Sequence, residues 1–110
     1  MSMKLTIFLL LRADASWLKL SRDRRAQVTE KSLGAIFTGP GMRLRHFDAE
    51  AFHARISDIA VIEANDPAAY YFAIEALRDS PLITEGYFEL IEIIPSYEDG
   101  FRAYEAAYVA

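Results

Sequence analysis

Cysteine is absent from the 110-residue sequence, which excludes disulfides, thiolate metal centres and cysteine nucleophiles. Positive charge is scarce: 12 Lys and Arg stand against 16 Asp and Glu, a net charge of −4. The chain therefore offers no electrostatic footprint for a phosphate backbone, and no nucleic-acid partner is expected. No hydrophobic run approaches the ~20 residues that span a bilayer. The longest, Ile7–Leu11, is a short segment, and no membrane partner is expected. No glycine-rich phosphate loop follows it and no Gly-x-Ser-x-Gly turn occurs, so nucleotide and serine-hydrolase chemistry lack their usual supports.

What is there describes a folding chain: 53% apolar, 13% aromatic and 25% charged residues. The length suits one domain over residues 1–110, and no repeat, linker or low-complexity segment suggests another. Lys4, Leu5–Leu11 and Ala13-Asp14-Ala15 imitate a short secretory signal in outline. Thr6 and Arg12 cut its apolar region to a minimum, and the stretch reads better as a buried strand, so a cytoplasmic protein is expected.

The pattern predicts a first strand over residues 3–12, with Leu5, Ile7, Leu9 and Leu11 on one face and Thr6, Phe8, Leu10 and Arg12 on the other. Ser21 is an N-cap for a helix in which Ala26, Thr29, Leu33, Ile36 and Phe37 recur at helical spacing, with Arg22, Arg24, Arg25 and Lys31 as a solvated basic face. Gly39-Pro40-Gly41 ends it. A second strand over 42–47 sets Arg43, Arg45 and Phe47 against Met42, Leu44 and His46, and a third covers 58–64. Asp66-Pro67 starts a helix that Ser80-Pro81 ends near Arg78. A fourth strand over 87–94 is expected to stop at Pro95, after which Ser96 and Asp99 resemble a capping box for a last helix.

This order, β-α-β-β-α-β plus a C-terminal helix, is ferredoxin-like. Right-handed crossovers place both long helices on one face of a four-stranded antiparallel sheet. The other face is bare and partly apolar, so it cannot simply meet water. Pairing with a second copy face to face, a dimeric α+β barrel, is the expected solution, and a homodimer the expected assembly.

Six positions emerge as candidate site residues. Arg43 and Arg45 share a strand face, where two guanidinium groups could hold a carboxylate or phenolate; pairing with Asp58, Glu63, Glu89 or Glu92 is the structural alternative. Tyr70-Tyr71-Phe72 sweeps about 200° of a helix, more than a core stripe needs, which pushes Tyr71 toward a pocket edge or subunit contact. His46, beside Arg or Asp, could act as a general base. With only His53 for company it makes no expected metal site. Glu89 and Glu92 are separated by an odd number and so are expected on opposite strand faces, Glu89 beside Tyr87 on the open one. Tyr97, Phe101, Tyr104 and Tyr108 form one aromatic stripe on the last helix, either docked on this subunit or its partner or walling a ligand.

Longer segments carry a family resemblance: Trp17-Leu18 with Leu20-Ser21-Arg22-Asp23, Phe47-Asp48-Ala49-Glu50-Ala51-Phe52, Ser57-Asp58-Ile59-Ala60-Val61, Tyr70-Tyr71-Phe72 with Glu75-Ala76-Leu77-Arg78-Asp79, and Tyr87-Phe88-Glu89 with Ile93-Ile94-Pro95. Over nearly its whole length the chain resembles darcynin, a family of small bacterial proteins. The resemblance implies a fold similar to the dimeric α+β barrels and brings no catalytic residue, ligand or cofactor with it. That wider fold group includes cofactor-independent monooxygenases, lactone isomerases and haem enzymes.

The resulting expectation is a cofactor-free site for a small anionic or aromatic metabolite, between sheet and helices. Arg43 and Arg45 would hold an anion, Tyr71 and Tyr87 would line the pocket, and His46 or Glu89 would move a proton. If the site is catalytic, fold analogy points to a cofactor-free isomerase or oxygenase. The rival is a non-catalytic homodimeric binding or assembly protein.

Overall fold

A computed structural model describes residues 3–108. The chain runs β1 (Leu5–Ala13), α1 (Ala15–Leu18), α2 (Arg22–Thr29) with a π-helical turn over Glu30–Gly34, β2 (Met42–Asp48), β3 (Asp58–Ala64), α3 (Pro67–Asp79), α4 (Pro81–Thr84), β4 (Phe88–Tyr97) and α5 (Gly100–Tyr108). The strands form one antiparallel sheet in the order β2-β3-β1-β4, the ferredoxin-like α+β arrangement expected from the element order.

Period-two alternation decides which side chains meet the helices. Ile7, Leu9 and Leu11 of β1 and Ala60 and Ile62 of β3 point to the helix side, where they are buried with Val28, Phe37, Ile74, Leu77 and Leu82. The caps hold as expected: Ser21 Oγ accepts from Arg24 N at 3.1 Å, and Asp66 Oδ1 accepts from Ala68 N at 2.9 Å, with Pro67 in the first turn. Gly41, at φ 76°, takes the left-handed turn into β2 that a β-carbon would strain, and its carbonyl accepts from Asn65 N at 2.9 Å.

Two expectations fail at β4. Pro95 does not end the strand, which continues to Tyr97. β4 is an edge strand, and an edge tolerates a residue without an N–H. Accordingly Ser96 caps no helix; its hydroxyl donates to Thr6 O at 3.0 Å. Second, Glu89 and Glu92 share a face. The register shifts between Leu10 and Leu11, so Glu92 opposes Leu10 and Glu89 opposes Arg12. The extra residue of that bulge, Ile91, cancels the odd spacing.

The sheet face away from the helices carries Arg43, Arg45 and Phe47 on β2, Glu63, Val61 and Ile59 on β3, Thr6, Phe8, Leu10 and Arg12 on β1, and Ser96, Ile94, Glu92 and Glu89 on β4. Phe8, Phe47 and Ile94 are exposed there. No helix among the described residues is long and apolar enough to cross a membrane.

Candidate functional site

The most apolar of the larger cavities lies on the helix side, between the sheet and the α2 segment. Its volume is about 370 Å³, and it is walled by Leu11, Leu33, Leu44, Leu82, Phe88 and Trp17, with His46 and Asp58 as polar groups on the sheet wall and Thr29 and Glu30 opposite. The Glu30 carboxyl lies over Gly34, in the space a β-carbon would fill.

His46 and Asp58 come from adjacent strands. His46 faces Ala60, and Asp58 faces Asp48, one pleat repeat along the same side of the sheet. This places His46 Nε2 2.6 Å from Asp58 Oδ2 and 3.8 Å from Asp48 Oδ1. Asp58 is the most sheltered of the three, its side chain 18% exposed against 42% for His46 and 71% for Asp48. No Lys or Arg pairs with either aspartate among the described residues. An acceptor on Nε2 fixes the Nε2–H tautomer of the neutral ring and leaves the Nδ1 lone pair free as a base. Among the described residues, the same three also form a set of ligand atoms close enough to hold a divalent cation, lying within 4.8 Å of one another.

Trp17 reaches the cavity because β1 ends in a capped helical turn. Asp14 Oδ2 accepts from Ser16 N at 2.9 Å, starting α1, and the Arg25 guanidinium donates to Leu18 O and Leu20 O at 2.9 and 3.2 Å, closing its far end. Arg25 is thus a half-buried clamp rather than part of a solvated face. The indole packs against Tyr87 and Phe88, with ring centroids 5.7 and 5.0 Å away.

The backbone N–H of Ser16 holds the Asp14 carboxyl below the usual carboxylate range. A lowered pKa means that this cap stabilises α1 at pH values above the ordinary carboxylate range and loses that contribution as pH falls through and below it. Emission from Trp17, the only tryptophan, is therefore expected to shift in that acid window. Asp14→Asn should flatten the shift, and identical acid profiles for the two proteins would remove the cap from the account.

The six residues singled out from sequence are not gathered in one place. His46 lines the cavity. Tyr87 stands one ring behind it, supporting Trp17. Arg43, Arg45 and Glu89 lie on the opposite sheet face, because β2 alternation separates Arg45 from His46. They do not meet each other either: Glu89 pairs with Arg12 at 3.4 Å, while the arginines sit three strands across the sheet and, by register, four and six residues further along it. The Arg45 guanidinium lies over the Phe47 ring at 5.6 Å. Tyr71 is exposed on the outer side of α3, edge-on to Phe72. His53 is occupied structurally, its Nδ1 accepting from Arg55 N and Ile56 N at 3.1 and 2.8 Å.

Trp17, Asp58 and Asp48 are the site residues that sequence reasoning missed as such. Asp48 was reachable, since i and i+2 share a strand face. Asp58 was not: nine residues separate β2 from β3, too many for turn chemistry to set the register.

Sheet order, helix side and cleft together define a small ferredoxin-like α+β protein with one apolar, histidine-bearing cavity between its layers. Solved structures agree on the fold. The chain superposes on the R173K chlorite dismutase of Candidatus Nitrospira defluvii with a TM-score of 0.74 at 13% identity, covering 96% of this chain and 45% of that one. On the dimeric chlorite dismutase of Nitrobacter winogradskyi the TM-score is 0.67 at 15% identity, with 86% and 56% covered. A dimeric ferredoxin-like protein of unknown function from Thermobifida fusca matches at 0.53 and 15%, with 88% and 91% covered. The chain thus spans about half the length of those chlorite dismutases, and the likeness is one of fold alone.

The chain belongs to the Darcynin family, whose model, described as a domain of unknown function, matches residues 1–110. Relatives include Darcynin of Chromobacterium violaceum, 60% identical over 67 residues, covering 61% of this chain and 85% of that protein. Darcynin 1 of Acinetobacter baumannii is 46% identical over 88 residues, covering 79% and 98%.

Proposed function

We propose that this protein binds a small aromatic molecule with one acidic O–H or C–H group in the helix-side cavity, where His46 accepts that proton. The observation that carries the reading is the 2.6 Å contact between His46 Nε2 and Asp58 Oδ2 at the wall of an otherwise apolar space. An apolar pocket with a few convergent polar groups is the usual form of a small-molecule site. Asp58 supplies orientation and stabilises the imidazolium that forms when Nδ1 takes the proton; the pair returns to its starting state when that proton leaves. Trp17, Leu33 and Phe88 supply the flat apolar contact. The arginines have no part in this cavity, so its ligand is chosen by ring and proton rather than by a fixed negative charge. A cofactor-free isomerase is the catalytic form of this reading, a binding protein the non-catalytic one.

The protein pairs with a second copy through the open sheet face. Support comes from its exposed Phe8, Phe47 and Ile94, and from its charges: arginines on the β2 edge, glutamates on the β4 edge. A two-fold axis parallel to the strands lays each β2 edge over the other copy's β4 edge, which puts the arginine-bearing edge on the glutamate-bearing one with Arg45 level with Ile94 and two residues along from Glu92. Two structural neighbours are themselves described as dimeric.

4-Nitrophenol, whose anion is yellow, tests the cavity. Wild-type protein should quench its own Trp17 emission on binding and shift the bound phenol toward its anion. His46→Ala should weaken binding about tenfold or more, the order of one charge-assisted hydrogen bond, and lose the colour shift. Unchanged affinity and colour in His46→Ala would remove His46 from the function.

A further inference from the structure

We infer that α5 is an arm that docks on a second copy of this chain. The inference rests on the proposed pairing through the open sheet face and says what completes it. α5 is amphipathic yet none of its nine residues is buried. Its stripe is 60% exposed at Phe101, 56% at Tyr104 and 82% at Tyr108. A helix this short does not hold by itself in water, where isolated helices below ~12–15 residues are marginal, so its persistence calls for a packing partner. Among the described residues, its own subunit buries none of the helix.

Its placement indicates the occupant. At the end of β4 the chain turns sharply at Asp99, a non-glycine residue with φ 49°, and sends α5 away from the strand. The base of the helix borders the open sheet face: Glu98, Asp99, Arg102 and Ala103 share a depression of about 420 Å³ with Lys4 and with the open-face residues Thr6 and Glu63. The chain is elongated as a result, 57 × 30 × 18 Å, with a radius of gyration of 15.9 Å where a compact chain of about 100 residues has about 13 Å. The arm and the sheet face are therefore one continuous unpartnered surface.

Charge selects a copy of this chain to cover it. In the two-fold pairing described above, the arm leaving β4 arrives at the second copy's β2 edge. The part of that edge level with Tyr97 presents Met42 and Arg43, with Arg45 two residues further along, while the arm and its base present Glu98, Asp99 and Glu105, with Arg102 among them, beside the tyrosines. Aromatic side chains bury ~150–250 Å² each, so the partly exposed Phe101, Tyr104 and Tyr108 of both arms contribute on the order of 800 Å². That is a substantial part of the ~1,200–2,000 Å² of a stable interface.

The test is the triple variant Phe101→Ser/Tyr104→Ser/Tyr108→Ser in the full chain, by sedimentation velocity across a concentration series. The dimer dissociation constant should rise at least about 100-fold, with the far-UV circular dichroism of the sheet retained. Hydrogen exchange of wild-type protein gives a second reading: α5 amides should be protected at concentrations where the dimer forms and exchange freely on dilution. A wild-type dimer whose affinity survives the triple substitution, or whose α5 amides exchange equally fast at both concentrations, overturns the arm while leaving the sheet-face pairing intact. A wild-type chain that stays monomeric at high concentration overturns both.

Discussion

Leu9→Ala should lower the melting temperature by more than 10 °C, whereas Phe8→Ala, one residue earlier, should change the isolated subunit far less. Leu9 is 0% exposed in the central strand, with Ala60 on one side, Ile93 on the other and the helices above it. Removing three carbons there costs their transfer free energy and leaves a cavity that rigid strands cannot close. The expected loss is about 3 kcal/mol, a large share of the 5–15 kcal/mol that holds a domain together. At roughly 4–8 °C per kcal/mol for a chain of this size, the shift is unmistakable by circular dichroism. A loss under 1 kcal/mol would mean that the helix layer does not pack on β1 as described.

Phe8→Lys carries the second large effect, on assembly rather than folding. Phe8 is 37% exposed and stands between Val61 and Ile94 near the middle of the open face. In a lone subunit a lysine there keeps its ammonium in water and the sheet loses little. Pressed against a second copy, the same ammonium meets apolar side chains and has to shed its hydration without a partner. Dimer affinity should fall at least 100-fold, about 2.7 kcal/mol, read as a halved mass by sedimentation equilibrium with an unchanged circular dichroism spectrum. An unaltered dimer would place the interface elsewhere.

These two neighbours show how much of the fold was legible. Leu9 and Phe8 are both apolar, and alternation assigned them to opposite faces; the caps at Ser21 and Asp66 and the limits of β3 were equally readable, because each is a local preference written in adjacent residues. β4 was misread where locality ends. Pro95 is a strand breaker only if its missing N–H is needed, and β4 lies at an edge. Glu89 is on the open face as expected, but the bulge at Ile91 brings Glu92 onto that face as well, something spacing alone does not announce.

The candidate site was legible in one residue of its polar pair. His46 stood out by type, and Asp58 appeared only as a counter-ion for arginines that turned out to face the other way. Residue chemistry and periodicity by themselves determined the class of fold, the helix starts after Ser21 and Asp66 and the oily open face, and the resemblance of longer segments pointed to the family. Tertiary structure decided that His46 meets Asp58 in a cavity that Trp17 also lines, that Arg43 and Arg45 stand apart from them, and that no residue of the last helix is buried among the described residues. The reason is geometric: a site is made by strand register and layer packing between residues distant in sequence, and no local preference encodes a register across a nine-residue connection.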